Sequence, residues 1–185
     1  QSGTDGAFMG YDFHVTEDGP RLIEVNSNAG GAFIVDMIER AAGTFAQMPG
    51  MDFSDKIAAM FRDEWRLSGQ TDPLKTIAIV DTDPAAQYHY PDMCLAKSLL
   101  EGQGIKTIIT GLKDLRLRGG GLFHGDIKID MVYNRLTDFA LTDPENAVIR
   151  RAYLDDAAAV TPAPHHHARY ADKRNLILLS DPDIM

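Results

Sequence analysis

Cysteine is nearly missing from this chain, Cys94 being the only one in 185 residues. A lone thiol excludes an internal disulfide framework and suits a reducing compartment, so a cytoplasmic location is expected. Cys94 falls in an apolar helical stretch and reads as a small buried residue. No apolar run approaches the ~20 residues of a membrane span, and the N-terminus lacks signal-peptide character. Basic residues are in deficit: 18 Lys and Arg against 27 Asp and Glu leave a net charge of −9. That balance argues against broad binding of nucleic acid or anionic membrane. The basic run from Lys106 to Arg118 is short and interrupted, and reads as a solvated face. Internal repeats and low-complexity segments are absent. So is a Walker-type phosphate loop, because no G-K-[ST] follows Arg118-Gly119-Gly120-Gly121, which reads instead as a hairpin turn. The chain begins QSGTDGAFMG without an initiator methionine, as a fragment or a processed product would.

What is present suits a folded α/β protein with a proper core: 44% apolar and 24% charged residues are ordinary for a globular chain. Ala7 to Val15 and Arg21 to Val25 read as two strands joined through the turn residues Glu17-Asp18-Gly19-Pro20. Phe33, Ile34, Met37, Ile38, Ala41 and Phe45 recur at helical spacing. A second helix carries Ile57, Met60, Phe61 and Trp65, with Ser54 as its expected cap. Ser68 to Pro73 is the best linker candidate. Beyond it the apolar run Thr76–Val80, ending in Asp81, reads as a buried parallel strand. A helix opened by Pro91 and running through Leu100 comes next, then strands Ile105–Ile109 and Ile127–Tyr133. A helix from about Pro144 to Leu154, capped by Asp143, leads to a short strand Ala157–Val160. Lys173 to Leu179 begins a last helix. Alternating strands and helices imply a mostly parallel sheet.

The stretch GPRLIEVNSNAGG, residues 19–31, carries the chemistry. Glu24, Asn26 and Asn28 recur with period two, so on a continuous strand they share a face. A carboxylate with an amide carbonyl two residues on can hold a hard cation such as magnesium, and Asp12 on the partner strand could add a second carboxylate. The same row also suits an ordinary solvated strand face. Gly30-Gly31 at a helix entry could form an anion site or simply a tight turn. Arg135, after an apolar strand, could be a surface ion-pair residue or a ligand contact at a strand end. His165-His166-His167 cannot easily converge on one ion, and in a Pro-rich loop they read as solvated or near a ligand mouth.

The segment YDFHVTEDGPRLIEVNSNAGG resembles the last strands of an ATP-grasp ligase, where an Asp precedes a hairpin whose returning strand carries E-x-N. TIAIVDTDP, IDMVYNRLTDF and VTPAPHHHARYADKRNL resemble the α/β domain that precedes that fold in glutathione-synthetase-like ligases. The order is reversed, as in circularly permuted members such as those similar to glutathionylspermidine synthase. The resemblance implies an ATP-grasp C-terminal-lobe fragment over residues 1–72 and a Rossmann-like pre-ATP-grasp domain over 73–165. The start of a nucleotide-binding lobe would occupy 166–185.

The site roles rest on the resemblance alone. It implies that Asp12, Glu24 and Asn26 would bind the magnesium that bridges ATP phosphates. Asn28, Gly30 and Gly31 would contact substrate or phosphate. Lys173 of the Asp172-Lys173 pair would reach ATP, and Arg135 would orient a substrate carboxylate or acylphosphate. The activity would join a small-molecule carboxylate to an amine or thiol through an acylphosphate, with ATP and Mg2+. A non-catalytic nucleotide- or metabolite-binding module of the same fold is the alternative. It gains weight from Gly10, which replaces an arginine often found two residues before the Asp. A glycine-rich phosphate loop, a second lysine and an adenine hinge would lie past the point where this sequence stops. A lobe cut open in this way can also associate with another copy.

Overall fold

The computed structural model describes residues 3–43 and 52–179; Phe45 lies outside them. The elements are the hairpin β1 (Gly10–Thr16) and β2 (Gly19–Asn26), then helices α1 (Ala32–Ala42) and α2 (Phe53–Leu67). Next come β3 (Thr76–Val80), α3 (Tyr90–Gly102), β4 (Lys106–Thr110), β5 (Leu115–Arg118), β6 (Gly121–His124), β7 (Ile127–Ile129) and β8 (Met131–Asn134). Helix α4 (Ala147–Leu154), β9 (Ala159–Thr161), α5 (Pro164–Tyr170) and α6 (Asn175–Leu179) complete the order.

The main sheet has strand order β4-β3-β8-β9 and every neighbouring pair is parallel. All five residues of β3 are buried, as a strand covered on both faces requires. Ile77 and Ile79 pack with Phe61, Trp65, Met93 and Leu100 of α2 and α3. Ala78 and Val80 point the other way, into a cluster with Leu115, Leu122, Ile149 and Val160. That second layer holds α4 and a three-stranded antiparallel sheet, β5-β6-β7. Gly119 and Gly120 have φ of 54° and 75°, the left-handed pair that a two-residue hairpin turn between β5 and β6 demands.

Several local expectations shift. The run Ile127–Tyr133 is not one strand. It splits at Asp130, whose carboxylate accepts from Lys75 N and Thr76 N at 3.0 Å each. One sequence run thereby serves two sheets. Helix α2 is capped by Asp52, not Ser54, with Oδ1 accepting from Ser54 N at 2.9 Å. Asp143 caps nothing with its side chain. A single 3-10 turn over Pro144–Asn146 precedes α4, and the carboxylate of Asp138 accepts from Asp143 N at 2.8 Å. Cys94 is exposed on α3 rather than buried. The three histidines sit in α5 rather than in a loop, and that helix runs across the expected 165/166 boundary. The segment 68–73 is anchored, since Trp65 Nε1 donates to Asp72 O at 2.6 Å.

A buried polar network seats the hairpin on the sheet. Glu64 of α2 accepts from Asp5 N (2.8 Å) and Gly6 N (3.1 Å) with one oxygen and from the Thr161 hydroxyl (2.6 Å) with the other. Thr161 Oγ1 in turn accepts from Ala7 N at 2.9 Å. His166, fully buried, accepts from Ala163 N through Nδ1 (2.9 Å) and donates through Nε2 to Thr4 O (3.0 Å). Chain residues 4–7 are thus held at the C-terminal end of β9, and β1 starts soon after them. Among the described residues no helix is long and apolar enough to cross a membrane.

Candidate functional site

The hairpin register sets Asp12 directly across from Glu24 and Gly10 across from Asn26. A bulge comes next, with Phe13 paired to Leu22 and Ile23 left over. Asn26 Nδ2 donates to Asp12 Oδ2 at 3.3 Å. The expected row therefore survives for Asp12, Glu24 and Asn26, as a cross-strand cluster on one face. Asn28 leaves it. β2 ends at Asn26, and after the turn the Asn28 amide donates to Leu136 O at 3.2 Å, beyond β8. Period two holds only while the strand lasts.

Lys173 comes to the same cluster from far along the chain, its Nζ 3.1 Å from Glu24 Oε2. With both groups well exposed, the pair contributes little stability. Its meaning is positional. The carboxylate row, Asn26, Asn28 and Gly30 line one cleft of about 620 Å3, together with Ser27, Phe139 and His167. A second, apolar cavity of similar size adjoins it and shares Glu24, with Lys173, Met60, Tyr170 and Leu176 on its walls.

The parallel sheet meets the loop after β2 at its strand ends. Its order changes direction between β3 and β8, and in α/β sheets the crevice beyond the strand ends at such a point is where ligands sit. Arg135, the first residue after β8, stands there, its N donating to Val80 O at 2.9 Å. Nη1 of its side chain donates to Ala29 O at 2.8 Å, Asn28 O at 3.4 Å, the Asn28 side-chain oxygen and the Tyr133 hydroxyl. Its guanidinium thus clamps the loop after β2 to the sheet. Gly30 fits that contact: a Cβ there would lie 2.7 Å from Arg135 Nη2. Burial raises the pKa of Asp81, at the end of β3, against the opposing pull of Thr82 N–H, Arg135 and His89. Burial likewise pushes the Tyr133 phenol up to about 12.

The N-terminus of α1 already has its anion. Gly31 N, Phe33 N and Ile34 N donate to the Asp92 carboxylate of α3 at 3.1, 3.0 and 3.0 Å. Asp92 is only 4% exposed. The donors that a phosphate would take at Gly31 are spent inside the fold. Residue type and spacing give no hint of Asp92 or Phe139 as parts of this region, because each arrives from a distant element, whereas Ser27 lies within the polar stretch itself and His167 belongs to the histidine run read as solvated or near a ligand mouth. Asp81 is legible only as the polar end of an apolar strand.

For a divalent metal, the donor set is two carboxylates and an amide oxygen, all hard ligands. Among the described residues no group of three or more His, Cys, Asp or Glu side chains is arranged to hold an ion. Three such donors would leave the remaining coordination positions of a magnesium ion to water or phosphate oxygens.

No protein-family model matches the chain, and no curated protein matches it. A solved structure does: the apo form of a glutathione synthetase-like effector from Globodera pallida, with a TM-score of 0.58 and 16% identity. The match covers 95% of this chain and 45% of that one, so the chain spans about half the length of its structural relative. At that identity the likeness is one of fold: a mixed α/β architecture with a hairpin and a four-stranded parallel sheet, similar to a glutathione synthetase-like protein.

Proposed function

We propose that this chain is the metal-binding and substrate-facing part of an ATP- and magnesium-dependent carboxylate–amine (or carboxylate–thiol) ligase that works through an acylphosphate. One observation carries the reading: Asp12, Glu24 and Asn26 cluster across the hairpin, and Lys173 meets Glu24. Asp12, Glu24 and Asn26 would hold Mg2+, which when bound neutralises charge on the transferred phosphoryl group. Lys173, freed from Glu24 once a cation takes that carboxylate, would turn to an ATP phosphate. Arg135 acts first as a positioning residue, fixing Asn28 to Gly30 at the mouth of the cleft.

The test is Glu24→Gln in the natural polypeptide that contains this chain. Losing one of two metal carboxylates is expected to lower magnesium-dependent ATP turnover at least about 10²-fold and to raise the Mg2+ concentration for half-activity. Unchanged turnover would defeat the metal assignment. A second reading, a binding module of the same fold without turnover, is favoured by Gly10. A Cβ there would meet Ala29 Cβ at 3.0 Å and Asn26 Cβ at 3.4 Å. An arginine at position 10 would therefore need Ala29 to give way by a few tenths of an ångström. Calorimetric binding of Mg-ATP with no phosphate release over hours would select that reading.

A further inference from the structure

The three consecutive histidines present six ring nitrogens, and the fold uses five. His165 Nδ1 lies 3.0 Å from the Tyr153 hydroxyl and Nε2 lies 3.4 Å from Thr4 Oγ1. Both nitrogens of His166 are bonded, to Ala163 N and to Thr4. His167 Nδ1 lies 2.9 Å from Oγ of Ser27, itself only 3% exposed. Its ring stacks flat on Phe139, with centroids 4.1 Å apart and planes at 8°. Nε2 of His167 has no hydrogen-bond partner among the described residues, and the residue forms part of the wall of the cleft that holds Asp12, Glu24, Asn26 and Asn28. An imidazole held by a hydrogen bond at one nitrogen and a ring stack on its face, with the other nitrogen left over, is built to handle a proton.

We propose that His167 Nε2 is the proton acceptor for the attacking amine, an inference that rests on the ligase reading above. In the step, the amine nitrogen's lone pair forms the new C–N bond at the acylphosphate carbonyl carbon. The C–O bond to phosphate breaks, its electron pair leaves with inorganic phosphate, and the proton on nitrogen passes to Nε2. This needs the tautomer in which Nδ1–H donates to Ser27 Oγ, leaving the Nε2 lone pair for the cleft. The Phe139 stack keeps the ring from turning.

The experiment separates the two half-reactions in the natural polypeptide containing this chain. Hydroxylamine, neutral at pH 7, traps an acylphosphate as a hydroxamate and loses its proton to water or the departing phosphate, so no side chain is needed to take it. The acids are γ-glutamylcysteine, glutathione and short peptides; the amines are glycine and spermidine. In His167→Asn, whose amide keeps a donor for Ser27, the ratio of amine ligation to hydroxamate formation is expected to fall about 10²-fold. Ser27→Ala should lower the same ratio by a smaller factor, and added imidazole should restore part of it in His167→Ala. An unchanged ratio in His167→Asn overturns the proposal, as does a parallel fall of both products, which would make His167 a ligand-binding residue. If the unaltered protein forms hydroxamate with none of the acids, the ligase reading fails first and takes this inference with it. Circular dichroism of each variant checks that the fold is retained, and Ser27→Ala carries the test if His167→Asn does not fold.

Discussion

Replacing Asp92 by Ala gives the most direct test of how the cleft is supported. The carboxylate receives three backbone N–H groups at the start of α1 and is buried. Phe33, the middle donor, is itself buried at 3% exposure, whereas Gly31 and Ile34 are half-buried. In the alanine variant the Phe33 N–H is orphaned, at about 2 kcal/mol. The other two regain water in part and lose ~0.5–1 kcal/mol each. The sum, about 3–4 kcal/mol, is a large share of the ~5–15 kcal/mol that stabilises a domain. Asp92→Asn keeps one oxygen for Phe33 and Ile34 but sets an amide N–H against Gly31 N–H and loses the charge assistance. It should cost roughly half as much. Urea titration followed by tryptophan fluorescence reads both, with the m-value held constant as evidence of an unchanged native state. Equal losses in the two variants, or a loss below about 1 kcal/mol in Asp92→Ala, would refute the view that this carboxylate caps α1.

Gly30→Ala pushes a methyl group into Arg135 Nη2. The guanidinium must give up carbonyl bonds to move, so a loss of about 1–2 kcal/mol is expected in the wild-type background and much less in Arg135→Ala; additivity in that double-mutant cycle would count against the contact. His166 and His165 both have pKa values lowered chiefly by burial. The unfolded chain therefore binds more protons below about 6.5 than the folded one, so stability is fully present above that pH and is lost as pH falls through the depressed folded values. Urea midpoints measured between about pH 5 and 7.5 should drop on the acid side, with a shallower slope in His166→Gln, and a slope unchanged by that substitution would show that other groups set it.

The fold is legible where one physical cause acts locally. β3 reads as a buried strand because five apolar residues in a row can only be satisfied by cover on both faces. The turn at Gly119-Gly120 reads from the left-handed φ that glycine tolerates. Legibility fails where a neighbour intervenes. Ile127–Tyr133 alternates well enough for a single strand, and only the pull of Lys75 N and Thr76 N on Asp130 splits it. Asp52 displaces Ser54 as a cap because its carboxylate reaches two donors, Ser54 N and Asp55 N. That choice depends on where the chain enters the helix, which residue type alone does not fix.

The same division runs through the candidate site. Glu24 and Asn26 obey the strand period, and Asp12 follows from the hairpin register, so a sequence pattern is enough to bring the three together. Asn28 and Gly31 lie past the end of the strand, where its local logic no longer holds. Both are claimed by long-range partners, Arg135 for the first and Asp92 for the second. The consequence is mechanical. The loop from Ser27 to Gly31 is tied at both ends, by His167 and Arg135 on one side and by Asp92 on the other. Its backbone is therefore fixed before any ligand arrives, and little ordering of this loop remains to be done on binding. A cleft of this kind gains from rigidity what it gives up in free phosphate donors at α1. Under the proposed ligase reading, anion recognition would fall instead to Lys173 and to a cation on Asp12 and Glu24.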